Sequence, residues 1–322
     1  MKLAVLFPGQ GSQKVGMGFD LYEKDQDAKD LFEQADKICK YNISEIIFNG
    51  PQDALNKTKN TQTAIVSVSA ALTIILKKEL KKRNISFSPY ATAGHSLGEF
   101  LCLWFTGMLN FENLIKIISI RGNLMQNCPK GSMAAIINID SDRIQNIINL
   151  NNLEKKVVIA NYNSPSQIVI AGYPEELTKA CELIKNIGGK TIILPVGGAF
   201  HSPLMSEASR SFSGELDKLQ LSRTTVLEVP IYQNIDAKAS ADPKVIIEKL
   251  KKQMISPVLW TQTIQNIVNI GVDTVVEVGP GKVLTGLVKK IIPNISCYNI
   301  YDLETLDQFV RTYEHELSPS KP

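Results

Sequence analysis

Gly94-His95-Ser96-Leu97-Gly98 reads as a serine carried on a sharp turn between a strand and a helix. Ahead of it, Pro89-Tyr90-Ala91-Thr92-Ala93 can form a short buried strand, and behind it Glu99 to Leu109 continues as an apolar helical run. The glycines two residues to either side are what such a turn demands, because a Cβ at Gly94 or Gly98 would meet the neighbouring strand or helix. This is the context of an exposed serine nucleophile. A Gly-rich turn with an ordinary serine is the alternative that the pentapeptide alone leaves open.

Working outward, the chain alternates strands and helices with one interruption. Leu3 to Phe7 is a strand, and the stretch to about Arg83 is mainly helical, including the apolar run Thr63 to Leu80. Beyond the serine turn lies a helix from about Glu112 to Gln126. After Pro129-Lys130-Gly131 the pattern changes to strand Met133–Ile139, helix Ser141–Asn149, strands Lys156–Ala160 and Gln167–Ala171, helix Glu175–Ile187 and strand Lys190–Pro195. That order, β-α-β-β-α-β over roughly 65 residues, is ferredoxin-like and suits a compact insertion. Helices at Pro243–Lys252 and Trp260–Ile270, the strand Thr274–Val278, a Gly279-Pro280-Gly281 turn and a helix through Lys290 complete the reading, with a frayed tail at Ser318–Pro322. The expected fold class is α/β: an α/β-hydrolase-like parallel-sheet domain (1–127 and 198–322) with an inserted ferredoxin-like subdomain (128–197).

Composition removes several classes of function. The 322 residues carry 44% hydrophobic and 21% charged side chains, as expected for a globular enzyme with a large core. A net charge of +3, without an arginine-rich arm, gives no reason to expect nucleic acid. The five scattered cysteines read as reduced residues in a cytosolic-type compartment, with neither a disulfide framework nor a metal site. No signal peptide precedes the first strand and no apolar run reaches membrane-spanning length. Two Gly-rich stretches fail as nucleotide motifs: Lys14 stands where GxGxxG needs glycine after Gly9-Gln10-Gly11, and Val283 stands where a P-loop needs a hydroxyl after Gly281-Lys282. Residues 8–13 fit an oxyanion-binding loop instead.

A serine nucleophile needs a base, and there are three histidines. His95 adjoins the serine with its side chain directed away, and His315 lies near the end of the chain on the expected surface. His201, in Gly197-Gly198-Ala199-Phe200-His201-Ser202-Pro203, falls in the loop after the insertion and is the candidate base.

Together with this loop, Phe7-Pro8-Gly9-Gln10-Gly11-Ser12-Gln13, the elbow through Glu99, Arg121-Gly122, Ala160-Asn161-Tyr162-Asn163-Ser164-Pro165-Ser166-Gln167 and Glu277-Val278-Gly279-Pro280-Gly281-Lys282-Val283-Leu284 resemble the malonyl-CoA:acyl carrier protein transacylases, in that family's order over nearly the whole chain. The resemblance implies Ser96 as nucleophile, His201 as base, a backbone carbonyl near Gln253 orienting the imidazole, and the N–H groups of Leu97 and Gln10 as oxyanion donors. It implies Arg121 as the receptor for the malonyl carboxylate, with Asn163 also binding substrate; a guanidinium fork suits a carboxylate as a lysine cannot. The implied substrates are malonyl-CoA and holo-acyl carrier protein. Implied too are ping-pong transfer through a malonyl-serine, no metal or resident cofactor, a monomer, and a cytoplasmic or plastid-type location. A polyketide-pathway acyltransferase and a serine acyl hydrolase are the alternatives. The bulky Phe100, Leu101, Cys102, Trp104 and Phe105, and Thr63 in place of a proline, depart from the family pattern. Lys289 and Lys290, and to a lesser degree Lys282, are candidate docking cations for an acidic carrier.

Overall fold

The computed structural model describes residues 1–317; the tail 318–322, expected to fray, lies outside the described residues. β1 (Leu3–Phe7) and β2 (Ala91–Gly94) lie side by side and parallel, with Phe7 opposite Gly94. Helices fill the chain between them, ending in the long Thr58–Lys82. β3 (Ser132–Ile137), β4 (Val157–Ser164), β5 (Gln167–Gly172) and β6 (Lys190–Ile193) form a separate antiparallel sheet in the order β4-β5-β3-β6. β7 (Ile231–Tyr232), β8 (Ala239–Ser240), β9 (Thr274–Val278) and β10 (Ser296–Ile300) complete the main sheet, ordered β10-β9-β1-β2-β7-β8 and parallel except for β8.

Alternation along β1 explains why this strand is the centre of the molecule. Leu3, Val5 and Phe7 point into one core with Leu72, Leu101 and Ile118, while Ala4 and Leu6 point into the other with Trp260, Ile264 and Leu284. A strand covered on both faces is an unbroken apolar run, as Leu3–Phe7 is. The small sheet is likewise two-sided. Ala134 and Ile136 pack on Ile144, Leu177 and Ile184 of its helices, whereas Met133, Ala135, Val169 and Ala171 join the main core. Its second face therefore closes over the larger domain.

Some boundaries differ from those expected. The helix after Ser96 spans Gly98–Phe105 and stops short of Leu109. Gly107, at φ 76°, takes the left-handed conformation, and Gly107 N–H and Met108 N–H donate back to Trp104 and Leu103 carbonyls at 3.0 and 2.8 Å. β4 runs on to Ser164 because the larger domain lends it a partner: Tyr162 N–H donates to Val258 O and Val258 N–H to Ala160 O, both at 2.9 Å. β7 and β8 have two residues each, too few for periodicity to reveal. β10 is an edge strand in which Ser296 and Asn299 interrupt the apolar pattern.

The elbow glycines carry a severe geometric demand. A Cβ on Gly94 would fall 1.8 Å from the Gly98 carbonyl carbon, and one on Gly98 would fall 2.1 Å from the Phe7 carbonyl oxygen. Both obstacles are backbone, so Gly94→Ala should destabilise the protein by about 3 kcal/mol or more. Gly214 lies exposed in the helix Ser206–Asp217 with open space at its Cβ position. Gly214→Ala should stabilise by about 0.5–1 kcal/mol. Urea denaturation of the two variants checks the contrast; equal midpoints would contradict it.

Candidate active site

Ser96 stands just past the carboxyl end of β2, at φ 50°, a left-handed conformation that a non-glycine residue adopts only where its surroundings enforce it. Asn234, fully buried beyond β7, supplies that enforcement. Its Nδ2–H donates to Gly94 O at 2.7 Å and its Oδ1 accepts Ser96 N–H at 2.6 Å, so one amide grips the turn on both sides.

His201 reaches the serine from the loop that leaves the small sheet, also at a positive φ of 58°. Its Nδ1 faces two backbone carbonyls, Gln253 O at 3.1 Å and Ser256 O at 3.0 Å. Carbonyls only accept, so Nδ1 carries the proton and Nε2 presents a bare lone pair. That lone pair lies 2.7 Å from Ser96 Oγ, which donates to it. Burial, followed by the charge of Arg121, pushes the imidazole pKa down to about 3. The ring is therefore held neutral and able to accept a proton.

Arg121, on the helix Phe111–Gln126, is 1% exposed, which is exceptional for a guanidinium. Nη1 donates to Gln62 Oε1 at 2.8 Å; Nη2 donates to Gln253 Oε1 at 2.9 Å and to Ser96 Oγ at 3.1 Å. The Phe100 ring lies under the group, 5.4 Å from the guanidinium carbon. Nε–H has no partner among the described residues. The nearby carboxylate, Glu99, is also 1% exposed; burial drives its pKa up to about 7 against the opposing pull of Gln253, Asn234 and Arg121. Burial lowers Arg121 to about 10, with Glu99 opposing.

These groups line a cavity of about 140 Å³ between the two sheets, together with Gln10, Leu97, Asn161, Asn163, Met133 and Val169. All seven residues singled out from the sequence come together here except for the Gln253 side chain, which lies behind Arg121 and His201. The amides of Gln10 and Leu97 donate no hydrogen bond among the described residues. Asn163 Oδ1 accepts His95 Nε2–H at 2.8 Å, and the His95 ring packs edge-on to Trp260 at 5.4 Å. The His95 side chain is thus directed away from Ser96, as expected, toward partners distant in sequence. His315 is exposed.

Lys289 and Lys290, the expected docking cations, lie away from Ser96. The helix Val283–Ile291 starts at the carboxyl end of β9 and ends near the start of β10, where Lys289 Nζ donates to Ile295 O at 2.6 Å. That is the amino edge of the parallel sheet, opposite the edge that carries Ser96. Lys282 is on the same edge as Ser96, lining a surface groove of about 790 Å³ with Lys14 and Lys24.

Sequence reasoning missed Asn234, Ser256, Gln62 and the role of Glu99. Glu99 alone gave a usable signal, as a carboxylate heading the apolar helix Phe100–Phe105. Asn234 and Ser256 act through loop geometry that no spacing encodes.

The chain matches the family described as acyl transferase domain over residues 5–302. It is 38% identical to a malonyl CoA-acyl carrier protein transacylase of Bacillus subtilis (strain 168), covering 98% of each chain. Its fold superposes on a malonyl CoA-acyl carrier protein transacylase from Clostridium perfringens with a TM-score of 0.88 at 35% identity, covering 98% of each. A structure of a type II PKS acyl-carrier protein in complex with its malonyl-transacylase matches with a TM-score of 0.90 at 32% identity, covering 97% of this chain and all of that one, 100%. With the sequence match spanning both sheets and every element that carries the serine, histidine and arginine, the chain belongs to the acyl transferase domain family.

Proposed function

We infer that this protein is a malonyl-CoA:acyl carrier protein S-malonyltransferase, moving malonyl from CoA to the phosphopantetheine thiol of an acyl carrier protein through an ester on Ser96, and so supplying fatty acid synthesis. The observation that carries this is Arg121: a buried guanidinium with its Nη2 at 3.1 Å from the candidate nucleophile and an unpaired Nε–H. Leaving such a donor unpaired costs about 1–3 kcal/mol, which an anionic acyl group would offset. The relatives' names supply the donor and acceptor, and their chemistry fits the cavity.

Ser96 Oγ attacks the thioester carbonyl while its proton passes to His201 Nε2. The C–S bond breaks, the proton goes to the departing CoA sulfur, and a malonyl ester remains. The carrier thiol then gives its proton to His201, attacks the ester and restores Ser96 Oγ–H. In each half the N–H groups of Leu97 and Gln10 receive the oxyanion, a donor of that kind being worth roughly 100- to 1000-fold in rate. Arg121 exchanges its contact with Ser96 Oγ for the malonyl carboxylate. Asn163, its oxygen committed to His95, offers Nδ2–H to the acyl chain. Both halves are acyl transfers between oxygen and sulfur, so no resident cofactor is assigned. One chain contributes every group, which supports a monomer. No helix among the described residues is long and apolar enough to cross a membrane, in keeping with a cytoplasmic role.

Intact-mass measurement after mixing with malonyl-CoA tests the covalent step. Ser96→Ala should show no adduct, and His201→Ala should acylate about 100- to 10,000-fold more slowly; an adduct on Ser96→Ala would refute the assignment. Arg121→Ala should cost malonyl acylation about 2–5 kcal/mol while sparing acetyl acylation, since acetyl leaves no charge stranded. An unchanged ratio of the two rates removes the carboxylate receptor, and rapid hydrolysis of the wild-type ester favours a hydrolase.

The tautomer argument is tested by NMR. Because the folded pKa of His201 lies below the ordinary 6.5, its contribution to stability is full above that pH and is lost as pH falls from there toward about 3. Its ring resonances, assigned by comparison with His201→Ala, should show no inflection near pH 6.5. A normal titration there would contradict the buried neutral ring.

A further inference from the structure

The amide of Gln253 touches three groups, and their chemistry dictates which way round it sits. Its Nε2 donates to Ser96 O at 2.9 Å and to the Glu99 carboxylate, while its Oε1 accepts Arg121 Nη2–H at 2.9 Å. Ser96 O and a carboxylate oxygen only accept, and a guanidinium only donates, so the reverse orientation would oppose like groups at every contact. The other Glu99 oxygen accepts the backbone N–H of Asn234 at 3.0 Å. Both oxygens of a single buried carboxylate are thus acceptors, one toward the residue that grips the serine turn and one toward the residue that holds the arginine.

We propose that Glu99 is the positioning residue for acyl selectivity: by accepting Gln253 Nε2–H it keeps the Gln253 oxygen on Arg121, and so aims the guanidinium at the acyl site. The proposal rests on Arg121 as carboxylate receptor. It separates two jobs of Gln253. The backbone carbonyl, with Ser256 O, orients His201 whichever way the side-chain amide points. The side-chain amide serves only Arg121, Glu99 and the Ser96 carbonyl.

Glu99→Gln has one accepting and one donating end where the carboxylate had two acceptors. The Asn234 N–H is fixed backbone and takes the oxygen, leaving –NH2 against Gln253 Nε2, donor against donor, where the carboxylate had accepted. The Gln253 amide then either shifts off this –NH2, anchored only at Ser96 O, or turns over and loses both Ser96 O and Arg121; in each case its oxygen no longer fixes the guanidinium. Loss of a hydrogen bond to a charged group predicts a fall of roughly tenfold or more in the ratio of malonyl to acetyl acylation rates. Acetyl acylation itself should change far less, because His201 keeps both carbonyls and the Ser96 turn keeps the Asn234 amide.

Rapid-quench intact-mass assays of wild type, Glu99→Gln, Gln253→Ala and the double variant test this with malonyl-CoA and acetyl-CoA. If Glu99 acts through Gln253, each single variant shows the malonyl-specific loss and the double variant loses no more than the worse single. An unchanged ratio, an equal loss of both acyl groups, or additive losses in the double variant would overturn the proposal. Should Glu99→Gln not fold, Glu99→Asp, which keeps the charge but shortens the reach to Gln253, takes its place in the same cycle: a malonyl-specific loss that does not add to that of Gln253→Ala supports the relay, and an equal loss of both acyl groups ends it. Failure of the wild type to form any malonyl ester would instead defeat the function on which the proposal rests, so the two failures are distinguishable.

Discussion

A full positive charge, that of Arg121, is buried between two sheets, and much of the site's architecture follows from keeping it there. Desolvating a guanidinium costs several kcal/mol unless hydrogen bonds and a nearby negative group offset it. Gln62, Gln253, the Phe100 face and the Glu99 carboxylate make up that offset, each drawn from a different helix or turn except for the adjacent Glu99 and Phe100. Nothing in this environment cancels the charge outright, since Glu99 is itself pushed toward neutrality by burial. The cavity therefore keeps a cation beside Ser96, and under the proposed function the malonyl carboxylate is the anion that pairs with it.

The second sheet is what makes the burial possible. Met133 and Val169 from its inner face and Leu194 and Val196 from the segment that follows β6 line the same cavity as Ser96. Pairing of Ala160 and Tyr162 with Val258 ties its outer strand to the larger domain by backbone hydrogen bonds, which do not depend on side-chain fit. His201 lies on the return connection, so the lid and the base are positioned by one piece of chain. Because Arg121 is buried beneath this sheet, each charge–dipole contact around it is stronger than it would be at the surface.

Much of this was legible in the residues, and the limits have physical causes. The strand–glycine–serine–glycine–helix turn announced itself because backbone sterics admit only glycine at 94 and 98. The β-α-β-β-α-β insertion was readable because its helices each bury one clear face and its central strands are short apolar runs bounded by polar residues. β7 and β8 were not, because two residues cannot display a period. The extension of β4 through Asn163 escaped for another reason: its partner, Val258, lies far along the chain. At the site, the serine, histidine and arginine were recoverable as residue types matched to a chemistry. Asn234 and Ser256 were not, because an amide gripping a turn and a carbonyl at a loop end are defined by position alone.

The use of two neutral carbonyls to orient His201, in place of the carboxylate of a Ser-His-Asp triad, suits the same buried charge. A carboxylate at Gln253 O or Ser256 O would sit within reach of Arg121 and cancel much of its attraction for an anion. Carbonyls fix the same tautomer without doing so, at the expense of stabilising the imidazolium less. That expense is large, because burial and then the charge of Arg121 push the His201 pKa down. A malonyl carboxylate paired with Arg121 removes much of the repulsion that an imidazolium would feel. Proton transfer from Ser96 to His201 is then easier when the acyl group is anionic than when it is neutral. Recognition of the carboxylate thus acts on the transition state as well as on binding, which is the condition for a buried receptor to raise the rate and not merely the affinity.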